Sequence, residues 1–550
     1  MRRSTGFALL AVLFLSLYIR LIPVTQFLYW GADFGEYFGL TRTVYEVQPL
    51  PAPYLGWGVT YPEFPGLFIL NAVAAWTGIP IEAAAVLLVP ILAALVVIPV
   101  FLLTREVTQR DGAALVAAAL VAVLSPHAYP TSHAIPGALG DLLFVTGLLL
   151  LIRLRSDARM LGLLIPVALA LVPLHHLSSY FLIVTTFFVA FFRVVVWRAR
   201  WEEIRRETGF LAFLVAINVI YWVAYAETFR LFLGFERISP FLTAGFLLAL
   251  PFVLYPLARL RARVAWRFRP RWPPARQSWR VLLGVALAVA GLLAFVTLVQ
   301  VPGTNISIPV PGLLYAAAFL PLLLLAAPGR KAFDFLLQGV FITGAFLALT
   351  LSWIVGSGIA PAFLVPYRHF QYMVPLMGAY AGMGAVLLHR RTGTRIIVPL
   401  LVGLVVLAAA TAIPPREALA NHFEGTRPEA LVGVQWAGTR IPTLTATDHR
   451  VSTILFGFVG VLGTWDTVSA PLHAPTFEGA RAEMVAIPGG RERIDFVVLD
   501  VDLIAGATLL PWDPALPLSA AAQAKFVGTH YLKLYDDGYA QVYWVNWGNA

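Results

Sequence analysis

PIEAAAVLLVPILAALVVIPVFLLT, residues 80–104, carries a single charge, Glu82, and is followed at once by Arg105. Coiled as an α-helix at ~1.5 Å per residue, these residues reach about 37 Å, enough to cross the roughly 30 Å of hydrocarbon in a bilayer. Runs of the same kind recur along the first 413 residues, separated by short arginine-rich loops. The 550-residue chain is 59% hydrophobic and 12% charged, whereas a soluble domain is about a quarter charged. The pattern is that of a polytopic α-helical membrane protein, and the net charge of +10 reports topology before it reports any partner. No nucleic acid is needed to explain it. With no cysteine, no disulfide, thiolate or cysteine-zinc chemistry can be invoked. Arginine far outnumbers lysine, the coding bias of a GC-rich prokaryote.

Fourteen apolar runs are candidates, and the positive-inside rule decides which of them cross. Thr5 to Ile22 follows Arg2 and Arg3 with no small-residue cleavage site after it, so it reads as a retained signal-anchor. The stretch from Pro62 to Gly78, interrupted by Glu63, Pro65 and Asn71, is placed on the outer side, within an acidic outer loop spanning 23–79. The other thirteen run over approximately 5–22, 80–104, 111–125, 136–153, 159–174, 176–197, 208–232, 239–258, 280–300, 311–328, 334–356, 366–389 and 395–413. Arg105, Arg110, Arg153, Arg155, Arg159, Arg193 to Arg206, Arg259 to Arg280, Arg330, Lys331, Arg390, Arg391 and Arg395 then fall on the cytoplasmic side. The outer loops hold little beyond Arg42, Arg230, Arg237 and Arg368. This assignment puts the N-terminus in the cytoplasm and the chain in the cell membrane.

Past Ile413, Pro414 and Pro415 end the last helix, and residues 414–550 are of mixed polarity. They read as a C-terminal extracytoplasmic domain of α/β or α+β type. Asp495 to Val501 has the pattern of a buried strand, while Tyr531 to Tyr535, Asp536-Asp537-Gly538 and Ala540 to Val545 have that of a hairpin. Nothing in this domain reads as catalytic. The membrane part, 1–413, shows no inverted repeat, which argues against the commonest transporter plans.

Ionisable groups at membrane depth are costly and mark sites. Here Asp33, Glu36, Glu46, Glu63, His127, His133, Asp141, His175, His176, Arg368 and His369 gather at the outer face, and no phosphate-cradling glycine loop occurs on the inner one. Within Gly31-Ala-Asp-Phe-Gly-Glu36, Asp33 and Glu36 share a helical face at i, i+3. Such a pair binds a divalent cation, accepts a proton, or simply caps and solvates a loop. Asp141 lies one turn inside its span and faces either a site or interfacial water. His175 and His176 are metal ligands or interfacial side chains. Arg368 either snorkels to the membrane boundary or binds an anion.

Together these elements resemble the GT-C superfamily, the polytopic glycosyltransferases that use lipid-linked sugars at the outer membrane face. The resemblance is architectural over the whole chain and reaches individual motifs. The acidic loop from Gly31 through Glu36 to Arg42 follows the first span, and Tyr61-Pro-Glu-Phe-Pro-Gly-Leu is similar to a Tyr-Pro-Pro-Gly segment of the superfamily. Ser125-Pro126 to Gly140-Asp141 is similar to the second acidic motif of oligosaccharyltransferase catalytic subunits, which also have thirteen spans and an outer C-terminal domain. Tyr367-Arg368-His369, ending at Pro375, is similar to the late-span arginine that faces the lipid phosphate. Two departures stand out. The Trp-Trp-Asp-Tyr-Gly acceptor-reading element has only Gly463-Thr-Trp-Asp-Thr as a counterpart, and the glutamate-bearing outer loop is replaced by the acid-free Val301 to Gly312. A protein mannosyltransferase-like or lipid-modifying relative matches equally well.

The resemblance implies transfer of a sugar from a polyprenyl-phosphate-linked donor to a protein or lipid acceptor, among membrane lipids. It implies Asp33 as general base or metal ligand with Glu36 beside it, and Asp141 as a second ligand to a divalent ion, Mg2+ or Mn2+. Arg368, His133, His175 and His176 would meet the phosphate. Two other classes accommodate the spans: a transporter or lipid flippase, and a non-catalytic assembly subunit. The first calls for ionisable residues at mid-membrane, where the spans are almost bare.

Overall fold

The computed structural model describes residues 3–51, 54–232, 251–260, 293–301, 304–310, 312–313, 340–358, 367–422, 424–464, 469–485, 493–510 and 512–548, with a few positions between 283 and 291. Among these, six helices have the length and apolarity to cross a membrane: Arg3–Gln26, Ile81–Thr108, Pro136–Leu154, His176–Trp197, Trp201–Ala224 and Arg368–Arg390. Asp111–Val123 and Ser125–Thr131, bent 58° from each other, make a seventh if they are one span. The bend falls where Leu124 is extended just ahead of Pro126, since proline cannot continue the ladder of the preceding turn.

Thirteen spans are therefore not reached among the described residues. The expected spans 239–258, 280–300 and 311–328 lie wholly or partly outside them, as does the start of 334–356, of which Val340–Gly358 is helical. The spans expected at 159–174 and 395–413 are shorter apolar helices, Ala158–Leu174 and Thr394–Ala410. The span expected at 208–232 is instead the helix Trp201–Ala224. Its first turn carries Glu202 and Glu203, and acidic side chains at a helix N-terminus extend it beyond the apolar stretch that hydropathy detects. Within Pro62 to Gly78 the structure has the end of a short 3-10 turn, Tyr61–Glu63, and an 11-residue helix, Gly66–Trp76, about 16 Å long and too short to cross.

Helix α1, Arg3–Gln26, leads into strand β1, Tyr29–Trp30, and helix α2, Phe34–Tyr45. Strand β1 pairs antiparallel with β2, Gly425–Thr426, so residues just after the first span are zipped to the C-terminal region. That region contains a five-stranded sheet in the order β4-β3-β5-β7-β6. Its strands are β3 (Thr445–Ala446), β4 (Gly463–Thr464), β5 (Phe496–Asp500), β6 (Tyr531–Asp536) and β7 (Ala540–Val545). Strand β3 is parallel to both β4 and β5, whereas β7 is antiparallel to β5 and β6. All five residues of β5 are buried, as its unbroken apolar run requires of a strand covered on both faces. The expected strand and hairpin are present, within a mixed sheet.

Two of the apolar cores matter for the site. One lies between the membrane helices, around Phe101, Phe144, Phe181 and Tyr372. The other joins Tyr29, Phe34, Tyr37 and Phe38, in the segment that follows α1, to Val434, Val451, Ile454 and Leu455 of the C-terminal region. This seam is close because it is lined by glycine: a Cβ on Gly35 would collide with the Thr453 carbonyl, and one on Gly457 with the carbonyl of Gly35.

Candidate functional site

Asp33 occupies the N-cap position of α2 but does not cap it, since its side chain makes no hydrogen bond to the first turn. Its carboxylate turns instead toward three donors. His449 Nε2 donates to Oδ1 at 2.7 Å, and the hydroxyls of Tyr61 and Tyr37 reach Oδ2 at 3.1 and 3.4 Å. His449 is fully buried, whereas the Asp33 side chain keeps 16% of its exposure. The capping and solvating role is thus displaced by a hydrogen-bonded carboxylate that still has an opening. Burial and the charge of Asp33 push both tyrosines well above the ordinary phenol range, so they remain donors.

Glu36, expected beside Asp33 as a catalytic partner, is buried, and its two oxygens accept the backbone N–H groups of Trp57 and Gly58. Burial pushes its carboxyl up to about 7 despite those two donors, and the charge of Asp33 adds to the rise. Glu36 therefore fastens the loop at 54–58 to α2. The fastened Trp57 stands edge-on to the His449 ring, with centroids 4.9 Å apart, and lies 5.1 Å from Trp512.

Arg368 begins the late helix and lies within electrostatic reach of Tyr37, Tyr61 and Tyr367. His175 and His176 both feel its charge. Gly137 leaves the room they need: a Cβ there would stand 3.3 Å from the His175 ring and 3.8 Å from Arg368 Nη1. His175 Nδ1 lies 2.6 Å from Ser178 Oγ, and Tyr372 donates to the Gly137 carbonyl at 3.2 Å. His176 packs against Phe64 and Phe229. Among the described residues no carboxylate forms an ion pair with Arg368. Tyr37 and Tyr61 thus connect Asp33, to which they donate, with Arg368, whose charge they sense.

Asp141 and His133 are engaged elsewhere. Asp141 is fully buried, and its Oδ2 lies 2.7 Å from His127 Nε2. His127 Nδ1 in turn takes Arg20 Nη2 at 2.9 Å, and Arg20 also donates to Thr131, Ser16 and the Ala122 carbonyl. His133 stacks on Trp30 and sits 2.9 Å from Glu424 Oε2, with His422 on the same carboxylate. Burial alone would raise the Glu424 carboxyl, but the two histidines outweigh it and hold it well below the ordinary range.

The two carboxylates expected to hold a divalent ion are each engaged by other side chains. Asp33 already accepts three donors and Asp141 is held by His127. Among the described residues, no group of three or more His, Asp or Glu side chains is arranged to hold a metal.

Sequence reading missed His449 and Glu424, both from the C-terminal segment that was expected to hold nothing catalytic. The available signal was Asp448-His449-Arg450, three ionisable residues in a row directly after a strand-like stretch. The suggested counterpart of the acceptor-reading element divides differently: Gly463 and Thr464 form β4, and Trp465 and Asp466 lie outside the described residues.

Membrane helices, a segment presenting Asp33 just after the first of them, and a C-terminal sheet region zipped to that segment define the class of fold, one shared with solved oligosaccharyltransferase structures. In particular, the chain is similar to the oligosaccharyltransferase of Archaeoglobus fulgidus. Its apo form matches over 99% of this chain and 75% of that one, with a TM-score of 0.59 at 14% identity. Its complex with zinc and sulfate matches over 90% and 68%, at 0.58 and 14%. Its complex with an inhibitory peptide and a dolichol-phosphate matches over 91% and 70%, at 0.56 and 13%. At such identities the likeness establishes the fold. No protein-family model and no curated protein sequence matches the chain.

Proposed function

We propose that this protein is a glycosyltransferase that moves a sugar from a polyprenyl-phosphate-linked donor in the bilayer to a protein or lipid acceptor on the extracytoplasmic side. The observation that carries the reading is the pairing of Asp33 and Arg368 across Tyr37 and Tyr61: the tyrosines donate to one and lie within electrostatic reach of the other. The tyrosines thereby link a partly open carboxylate to a cation at the start of the late membrane helix that has no carboxylate partner among the described residues. A lipid phosphate would meet that cation there. In the same proposal residues 1–413 hold the donor, residues 414–550 close the acceptor side, and the N-terminus is cytoplasmic.

The acceptor hydroxyl or amide attacks the anomeric carbon, its proton passes toward Asp33, and the bond from that carbon to the phosphate oxygen breaks. The electron pair leaves with the polyprenyl phosphate. Arg368 offsets the charge that grows on the departing oxygens, in a water-poor setting where such a pairing is strongest. His175 lies close enough to Arg368 to share the phosphate, and Glu36 keeps the Trp57 loop in place beside the reacting carboxylate. No step is assigned to a metal ion.

The fold is shared with an oligosaccharyltransferase whose complex contains a dolichol-phosphate, which supports this donor class. Purified chain in nanodiscs, given undecaprenyl- and dolichyl-phosphate-linked radiolabelled sugars, is expected to transfer label to added protein or lipid and release polyprenyl phosphate. If no such donor binds, a transporter or assembly role replaces the proposal. Orientation has its own test. A cysteine at Gly393 is expected to be shielded from an impermeant thiol reagent in intact cells, and one at Ser469 to react.

A further inference from the structure

We infer that His449 is the positioning residue for Asp33, so that the C-terminal region completes the reacting carboxylate and does not merely cover it; this rests on the glycosyltransferase reading above. The imidazole is fully buried, and its Nδ1 has no hydrogen-bond partner among the described residues. Its Nε2–H goes to Asp33 Oδ1 at 2.7 Å. A histidine that only filled a core would satisfy both ring nitrogens or be replaced by an apolar residue, because a buried polar atom left unpaired is costly. This ring tolerates one such atom and commits its donor to Asp33.

The surroundings fix the ring for that task. Asp448 caps the helix His449–Ile454 by accepting the Val451 N–H at 2.9 Å, and the His449 N–H donates to the Thr508 carbonyl at 2.8 Å. The C-terminal region also grips the backbone just before Asp33. Thr453 Oγ1 donates to the Ala32 carbonyl at 2.6 Å, the Gly31 N–H donates to the Glu424 carbonyl at 3.1 Å, and β1 pairs with β2. Trp57 closes the ring's edge. The charged or titratable neighbours are Asp33, Glu36, Tyr37 and Tyr61 from the segment that follows α1, with Asp448 and Arg450 beside His449 in its own chain. Held in this way, Asp33 keeps one carboxylate orientation toward the acceptor. Small errors in the placement of a reacting group cost large factors in rate.

The test compares His449→Ala with His449→Gln in the full-length protein, using an undecaprenyl- or dolichyl-phosphate-linked sugar that wild type turns over. The glutamine amide presents an N–H where Nε2–H stands, without an imidazole. His449→Ala is expected to lower kcat by about a hundredfold while the donor KM stays within roughly threefold, since donor binding is left to Arg368. His449→Gln is expected to recover most of that loss. A His449→Ala enzyme with wild-type kcat overturns the inference, and so does a folded His449→Gln enzyme as inactive as alanine. Where the alanine variant does not fold, the glutamine variant alone decides in the same terms. A wild type that turns over no lipid-linked donor overturns the glycosyltransferase reading itself and this inference with it.

Discussion

Among the described residues, two carboxylate–histidine pairs share one length, His449–Asp33 and His127–Asp141, both at 2.7 Å. They differ in everything around that bond. Asp141 and His127 are wholly buried between membrane helices, and Arg20 closes the chain of contacts with its own set of donors to Thr131, Ser16 and Ala122. Asp33 sits where helix α2, the loop at 54–58 and the C-terminal region meet; it accepts from two hydroxyls and retains an opening. A carboxylate enclosed with its counter-charge holds helices together, whereas one held by hydrogen-bond donors beside a gap can act on a substrate.

The comparison breaks most visibly at Asp141. Asp141→Ala leaves Arg20 and His127 buried without their anion, and removing one partner of a buried ionic cluster costs about 3–5 kcal/mol. The expected result is a large drop in the thermal unfolding midpoint in detergent, with residual activity in whatever folds. A variant as stable as wild type but devoid of transfer would move Asp141 from scaffold to chemistry.

Glu36 gives the next largest effect and concerns the open pair. Its carboxyl is pushed up from 4.5 to about 7 by burial in the fold. Between those values the folded chain holds a proton that the unfolded chain has released, so this group makes stability fall as pH rises through the window, by at most about 3 kcal/mol. Glu36→Gln is expected to flatten that slope in denaturation midpoints measured across the same range. An unchanged slope would show that another group titrates there.

Arg368 sharpens the donor side. Arg368→Met is expected to lower kcat/KM for a lipid-linked donor by about tenfold to a hundredfold, because a charge-assisted contact to phosphate is lost. Arg368→Lys should recover part of it, the point charge surviving without the fork. Equal kcat/KM for methionine and arginine would place the phosphate elsewhere.

How far each region could be read in the sequence follows from the range of the interactions. The membrane helices are local facts: an apolar run bounded by arginine, as at 80–104, declares itself, and Asp33 and Arg368 stood out because charges beside such runs are rare. The closing hairpin at Tyr531 to Val545 was also legible, through Asp536-Asp537-Gly538 between two strand-like stretches. The roles within the site were not. His449 meets Asp33 across 416 positions of sequence, and no local pattern encodes that contact. Glu36 looked like half of a catalytic pair at i, i+3, but its oxygens go to the backbone of a loop 21 and 22 residues away. Asp141 looked like a ligand because its partners, Arg20 and His127, lie on other helices. The start at Trp201 was missed because hydropathy sees the lipid-facing part of a helix and not its acidic first turn.

The most direct measurement is sugar transfer by wild type and Asp33→Asn side by side, with a polyprenyl-phosphate-linked sugar and candidate acceptors supplied to purified, membrane-inserted protein. Asparagine keeps the size of the side chain and its capacity to accept from His449, but removes the negative charge. The expected result is transfer by wild type and a loss of at least about a hundredfold in Asp33→Asn, with donor binding retained. Transfer at the wild-type rate by Asp33→Asn would contradict the assignment of Asp33 to the reacting centre.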